Sequence, residues 1–527
     1  MFNIRFRDYI CGLILTRKNM KKKIISLIAL TVSLFITSCS KNDELNETIN
    51  NSDSFEIFEK DNNTYLKLKF SEAFINALNE SYELRSLIKD ESNKMFNNDY
   101  DVLYFLIKDK KIENNTTVEE LITSKFLDNN DYLQLVSIFP KLTIFIPTLP
   151  ENSFSSENWD INEVPAIGVR LNNSNDVPVI YKNGTKNIIK GGNIPAFPIL
   201  IIKDNERIVT NLDKEFSNLE TREFSIKTSN IRFKFLDNAF DKQRNTTNRT
   251  GLNANNLNPE VLNAYNTYLN ADGWHRDMIY YDITPTSPNG QFKYNFQESV
   301  TTFRMIGNGM NAYNKLSDQS GDPSIKPALI GNQINTANNW TEGFFEFKIN
   351  CLVNANNGVG EQITKYISVD PNDLFTVNRV RKNIFFYVVN SVSLKSINLN
   401  IPIFNWDLNQ YASTIKISVE EVDLTETTTI TDTRSVKFAT NFSIEPSSGL
   451  LKKIGLKFGA SLEQNATQTV QRSFTQGNDQ LGDVIVNFAD NIIINKYFDS
   501  ASSSYKYNTR EYESGWYSIG IEPMQVQ

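Results

Sequence analysis

The order of apolar and polar positions changes its period partway along the chain. Tyr65-Leu66-Lys67-Leu68-Lys69-Phe70 alternates with period two and predicts a strand. Ser71 then caps a helix whose Phe74, Ala77, Leu78, Leu84 and Ile88 fall at helical spacing, ending near Asn97-Asn98. Residues 101–107 and 142–146 are apolar runs of strand type, Thr117 opens a short helix, and 166–171, 178–181 and 199–202 read as further strands with Pro and Gly at the turns. Residues 55–236 are therefore expected to form an α+β domain. Residues 237–258, crowded with Asn, Thr and Arg, have little to bury and predict a linker. Asn258-Pro259 opens a helix that should carry Val261, Leu262, Tyr265 and Leu269 inward. Beyond Trp274 the pattern is mostly of strands, at 292–305, 344–353, 384–399, 414–422 and 483–488. Such a succession predicts a mainly antiparallel β-sandwich over 259–527.

The sharpest alternation lies at 436–444 and 454–462. Val436, Phe438, Phe442 and Ile444 share one face of the first segment, and Ile454, Leu456, Phe458 and Leu462 one face of the second. Pro446-Ser447-Ser448-Gly449 suits the connection, and the flanks are rich in threonine from Thr425 to Thr433 and from Thr467 to Thr475. This arrangement resembles the Ser/Thr-rich insertion hairpin of aerolysin-like β-pore-forming proteins. The resemblance implies a candidate membrane hairpin over 436–462. A spanning strand needs roughly 9 to 11 alternating residues, which each segment just reaches. Two strands of an ordinary sandwich write the same pattern.

The first forty residues change the picture from globular to tethered. Met20 precedes three lysines, then an apolar run over 24–36, then Thr37-Ser38-Cys39. A run of thirteen residues is too short for a spanning helix, which needs roughly 20, and fits the core of a secretory signal. Phe35-Ile36-Thr37-Ser38-Cys39 resembles a bacterial lipobox, which implies a signal peptide ending at residue 38 and lipidation of Cys39; the second methionine, directly before three lysines, marks Met20 as the expected true start. The following Ser40-Lys41-Asn42-Asp43-Glu44 is similar to the acidic signal that sends lipoproteins of Bacteroidota-type bacteria to the outer face of the outer membrane. Residues 39–54 would then be a flexible tether. Segments around Asp99-Tyr100-Asp101, Phe139-Pro140-Lys141, Pro195-Ala196-Phe197-Pro198 and Asn205-Glu206-Arg207 resemble a region that recurs in secreted Bacteroidota proteins, which implies no activity.

The 527 residues include 54 basic and 61 acidic side chains, for a net charge of −7, so no basic surface for nucleic acid is expected. Only His275 and three cysteines occur, which excludes histidine-rich zinc sites and multi-cysteine clusters; no cofactor is expected. Cys351, in an alternating run, reads as a core thiol. No nucleophile elbow, Walker phosphate loop or His-Glu-x-x-His pair is present. Gly307-Asn308-Gly309-Met310-Asn311-Ala312 matches a dinucleotide fingerprint in form but reads as a turn. His275 reads as a surface or packing residue ahead of a general base. Glu420, Glu421 and Asp423 read as a solvated face, ahead of calcium ligands or a hydrolase pair. Trp274, Tyr280, Tyr281, Trp340, Trp406 and Trp516 would stack on sugars if they shared an exposed face.

The function expected from these features is that of a lipid-anchored envelope protein, displayed at the cell surface, with a binding or adhesion role toward glycan or protein. The alternatives are a β-pore-forming effector using 436–462 and a carboxylate-dependent hydrolase.

Overall fold

The computed structural model describes residues 55–526 apart from 173, 226–229, 244–256, 319–321, 326–339, 358–359, 424–426, 441, 448–449, 458–462 and 476–477. The expected signal segment, Cys39 and the tether lie outside the described residues. Residues 58–527 group as one compact unit.

The expected strand at 65–70 is instead the middle of a helix, Asn62–Glu80, capped by Asp61, whose carboxylate accepts from the Thr64 amide at 2.9 Å. Leu66, Lys67, Leu68, Phe70, Ser71, Ala73, Phe74 and Ile75 are all buried. A helix buried on more than one face keeps no single apolar stripe, and its sequence then mimics alternation. Ser71 does not start the helix; its hydroxyl donates back to the Lys67 carbonyl at 2.8 Å. Ser81 starts the next one, Tyr82–Ser92, by accepting from the Leu84 amide at 3.0 Å. The strand expected over 101–107 is confined to Asp101–Leu103, and Tyr104–Ile107 turns helical. Thr117 caps Val118–Thr123 with a reciprocal capping box to Glu120.

Six strands lie side by side in the order Asp101–Leu103, Leu142–Phe145, Ile199–Asp204, Ala166–Val169, Val177–Ile180 and Lys186–Ile189. All neighbours are antiparallel except Ala166–Val169 with Ile199–Asp204. The start of the expected linker is packed: Ala239, Phe240 and Asp241 are buried, and Asp237 accepts from Lys348 Nζ at 2.5 Å. Asn258 caps Pro259–Tyr268 as expected, but Leu269 follows the last helical residue and is exposed, so the inward face ends at Tyr268.

After residue 282 antiparallel sheets dominate, so the chain is mixed. One four-stranded sheet runs Ser396–Phe404, Phe296–Met305, Tyr517–Gln525, Glu511–Glu513; the other runs Glu361–Val369, Phe345–Ala355, Tyr411–Glu421, Asp479–Asn487. They meet through Phe303 and Phe347, whose ring centroids are 5.2 Å apart. Phe386–Leu394 pairs with Phe375–Arg381 on one side and with Ile194–Pro195 on the other, tying regions across the 237–258 stretch.

Between Tyr411–Glu421 and Asp479–Asn487, which pair with each other, the chain makes a long hairpin. Thr427–Ala439 pairs without a break with Glu463–Thr475, and Phe442–Ser447 with Leu450–Lys457. The expected match of 436–444 with 454–462 therefore holds only at the tip, where Phe442 faces Leu456. In the stem Val436 faces Ala466 and Phe438 faces Gln464, because stem and tip keep different registers. The stem is a two-stranded sheet of its own, part of neither four-stranded sheet.

Candidate functional site

The hairpin folds back onto the sheet that produces it. Val436 and Phe438 are buried in one apolar cluster with Ala412, the second residue of Tyr411–Glu421, and Ala466 packs against that cluster. The Gln468 side chain donates to the Ala355 carbonyl at 3.2 Å. The tip is joined by Asn289–Gly290, which pairs with Leu456 and Lys457. Phe442, Ile444 and Leu456 stand on the tip strands; Phe458 and Leu462 fall outside the described residues.

The acids at the hairpin's base are not a solvated face. Glu420, Glu421 and Asp423 are all buried, because Tyr411–Glu421 is an interior strand paired on both edges. Glu420 is satisfied: the Asn350 and Asn478 side chains donate to it at 2.9 and 3.1 Å. Asn478 also accepts from the Asp423 amide at 2.9 Å. The carboxylates of Glu421 and Asp423 are treated differently. Burial, then the neighbouring carboxylates Asp322 and Asp423, lift Glu421 well above the usual range, and burial lifts Asp423 to about 6.

A second buried charge cluster joins the six-stranded sheet to Phe345–Ala355; it draws on Asp99, Asp101, Glu206 and Arg207, which the sequence offered as parts of a recurrent region and not as a charge cluster. Arg207 donates to Glu346 Oε1 at 2.7 Å and to the Phe344 carbonyl at 3.0 Å. Lys203 Nζ lies 2.9 Å from Glu206, 3.1 Å from Glu342 and 3.4 Å from Asp101. Arg170 pairs with the other side of Glu342. Asp99, Asp101 and Glu206 bring carboxylate oxygens close enough to share a metal ion, but the Lys203 ammonium already holds that ground. Burial raises Asp101 to about 7, and raises Glu346 to about 7 against the pull of Arg207. Gly343 is required here: a β-carbon would land 1.9 Å from Asp99 Oδ1. The cavity touching Glu342 and Gly343 is about 20 Å³, room for one water and no substrate. The cluster is a structural tie.

His275 is buried on the helix His275–Tyr281, where its Nδ1 accepts from the Ile492 amide at 3.1 Å. Burial, with Arg276 and Arg510 nearby, lowers it to about 4, so it stays neutral and serves packing. Cys351 is buried on its strand, in keeping with a core thiol. Tyr280, Tyr281, Trp340 and Trp406 are buried and Trp274 and Trp516 half-buried, so the six aromatics form no exposed face. The glycine fingerprint does lie between a strand, Phe296–Met305, and a helix, Gly309–Leu316. That strand's neighbours are antiparallel, and Gly309 abuts the Val392 carbonyl, so no βαβ unit or phosphate cradle exists there.

Two surface features went unread. A cleft of about 470 Å³ is lined by Asn356, Asn357, Asn409, Gln410 and Tyr411. The two-stranded hairpin of Ile493–Asp499 and Ser504–Thr509 exposes Tyr497, Phe498 and Tyr505, with Lys496 4.4 Å from the centre of the Tyr505 ring. Among the described residues no helix is long and apolar enough to cross a membrane, which leaves strands untouched. No protein-family model, curated protein or solved structure matches the chain.

Proposed function

We propose that the chain is a lipid-tethered outer-membrane protein, displayed at the cell surface through Cys39, that acts on a target membrane by releasing the 427–475 hairpin as a β-pore-forming element. The observation that carries this reading is the hairpin's independence. It continues a pair of adjacent strands, pairs its stem strands only with each other, and rests on the body through a small apolar cluster and two side-chain-to-carbonyl hydrogen bonds, Gln468 to Ala355 and Ser413 to Lys437. Its thirteen-residue stem strands would rise about 43 Å, against a hydrocarbon core of about 30 Å. On release, Val436 and Phe438 would turn toward lipid together with the apolar face of the tip. The two four-stranded sheets are read as the faces of a β-sandwich domain, with an α+β domain before it.

Dye release from liposomes by the full chain tests the reading. Release should occur and be lost on Phe438→Asp with Phe458→Asp while the fold persists; no release at any concentration overturns it.

A binding or adhesion role toward glycan or protein is the second reading, supported by the cleft at 356–357 and 409–411. Side-chain amides beside a tyrosine suit hydroxyl-rich ligands, which offer both donors and acceptors.

A further inference from the structure

We infer that the base of the hairpin holds a divalent-cation site of calcium type, formed by Asp318, Asp322 and Asp423 with Glu421 beside them. Carboxylate oxygens of the three aspartates all lie within 4.8 Å of one another. An acidic cluster alone would mean little, but here the buried central member is met by no donor other than a second carboxyl group. Asp423 is 3 % exposed, and among the described residues neither of its carboxylate oxygens accepts from an amide, hydroxyl or cationic donor. Glu421, 2 % exposed, has its Oε2 in the same condition and lies within hydrogen-bonding reach of Asp423.

The contrast with Glu420 is instructive. One residue away, the fold supplies two amide donors to a buried carboxylate; toward Asp423 it supplies another carboxylate. Two ionised carboxylates cannot satisfy each other, and leaving them buried is costly unless a proton or a cation lies between them. The nearby ammonium of Lys315 is committed to Asp479. Among the described residues no lysine takes the central position that Lys203 occupies in the other cluster. Hard oxygen donors, several of them charged, are the ligand set calcium prefers, with water completing six to eight positions. Asp318 is exposed and Asp423 buried, so an ion would enter from the 318 side.

The site stands whether or not the hairpin is ever released, and its test needs no membrane. The full chain, stripped with EDTA, is titrated with CaCl₂ and separately with MgCl₂ in a calorimeter, alongside Asp318→Asn and Asp423→Asn. We expect one saturable calcium site, tighter than for magnesium, weakened at least about tenfold by Asp318→Asn and lost in Asp423→Asn. Calcium should also raise the melting temperature of the parent chain and not that of Asp423→Asn. In EDTA, Asp423→Asn should melt above the parent, because it removes a buried charge facing others. Asp318→Asn, being exposed, keeps the test open if Asp423→Asn fails to fold. No saturable calcium binding at millimolar concentration, magnesium binding equal to calcium, or unchanged affinity in Asp318→Asn would overturn the assignment.

Discussion

The Ser413 hydroxyl donates to the backbone carbonyl of Lys437 across 3.0 Å, so the strand that launches the hairpin also holds down its outgoing arm. Beside this contact, Val436 and Phe438 share a buried cluster with Ala412. Truncating Val436 to Ala should weaken the folded-back state by about 1–2 kcal/mol while leaving the four-stranded sheets intact. Proteolysis with a broad protease would then cut within 427–475 faster than in the parent, with little change in global melting. Unchanged cleavage would mean that the apolar cluster does not hold the arm.

Arg276 and Glu298 form a bidentate pair at 2.8 and 3.0 Å, and both are fully buried. Removing one charge strands the other, so Glu298→Gln should cost about 3–5 kcal/mol in urea unfolding. The double variant Arg276→Met with Glu298→Leu should recover most of that loss, since the pair's own desolvation cost disappears with it.

The helix His275–Tyr281 carries two groups with opposite pH dependence. Burial raises Asp277 from 3.8 to about 7, so its contribution to stability is complete below about pH 4 and is lost as pH rises through 7. Burial lowers His275 from 6.5 to about 4, so its contribution is complete above about pH 6.5 and is lost as pH falls through 4. Relative to the parent, Asp277→Asn should therefore gain stability progressively from pH 4 to 7, on the order of 4 kcal/mol at most. His275→Gln should gain in the opposite direction, from pH 6.5 down to 4. Parallel melting curves for parent and variants across this range would contradict both assignments.

How much of this was legible beforehand depends on how many sides of each element are covered. Strands with one wet face, such as Tyr411–Glu421 at its start, announce themselves by alternation. The helix Asn62–Glu80 did not, because Leu66, Leu68 and Phe70 are all buried together with Lys67 and Ser71, which leaves no single apolar stripe. Glu420, Glu421 and Asp423 looked like a solvated edge because charge in sequence carries no record of tertiary cover. Their burial follows from strands pairing on both sides, a relationship between residues far apart in the chain. The pairing of Phe442–Ser447 with Leu450–Lys457 follows from a local pattern, whereas the stem register does not. That register is set by threonine-rich arms whose polar residues look alike at every offset.

The exposed ribbon of Ile493–Asp499 and Ser504–Thr509 offers an apolar contact to any partner surface, with Phe498 58 % and Tyr505 61 % exposed. Phe498→Ser with Tyr505→Ser should leave the melting temperature within about 2 °C of the parent, as surface changes generally do. Sedimentation with liposomes should fall at least about fivefold if these rings anchor the protein at an interface. Unaltered sedimentation would leave the ribbon without a docking role.

The most direct test of the account locks the hairpin in place. Ala412→Cys with Val436→Cys, in a chain whose Cys351 is buried and inaccessible, would join the outgoing arm to the strand beneath it when oxidised. Dye release from liposomes is then measured before and after reduction with dithiothreitol. The account predicts no release from the oxidised protein and release restored on reduction. Equal release in both states would show that the membrane is not attacked by a hairpin leaving the body, and would contradict the account.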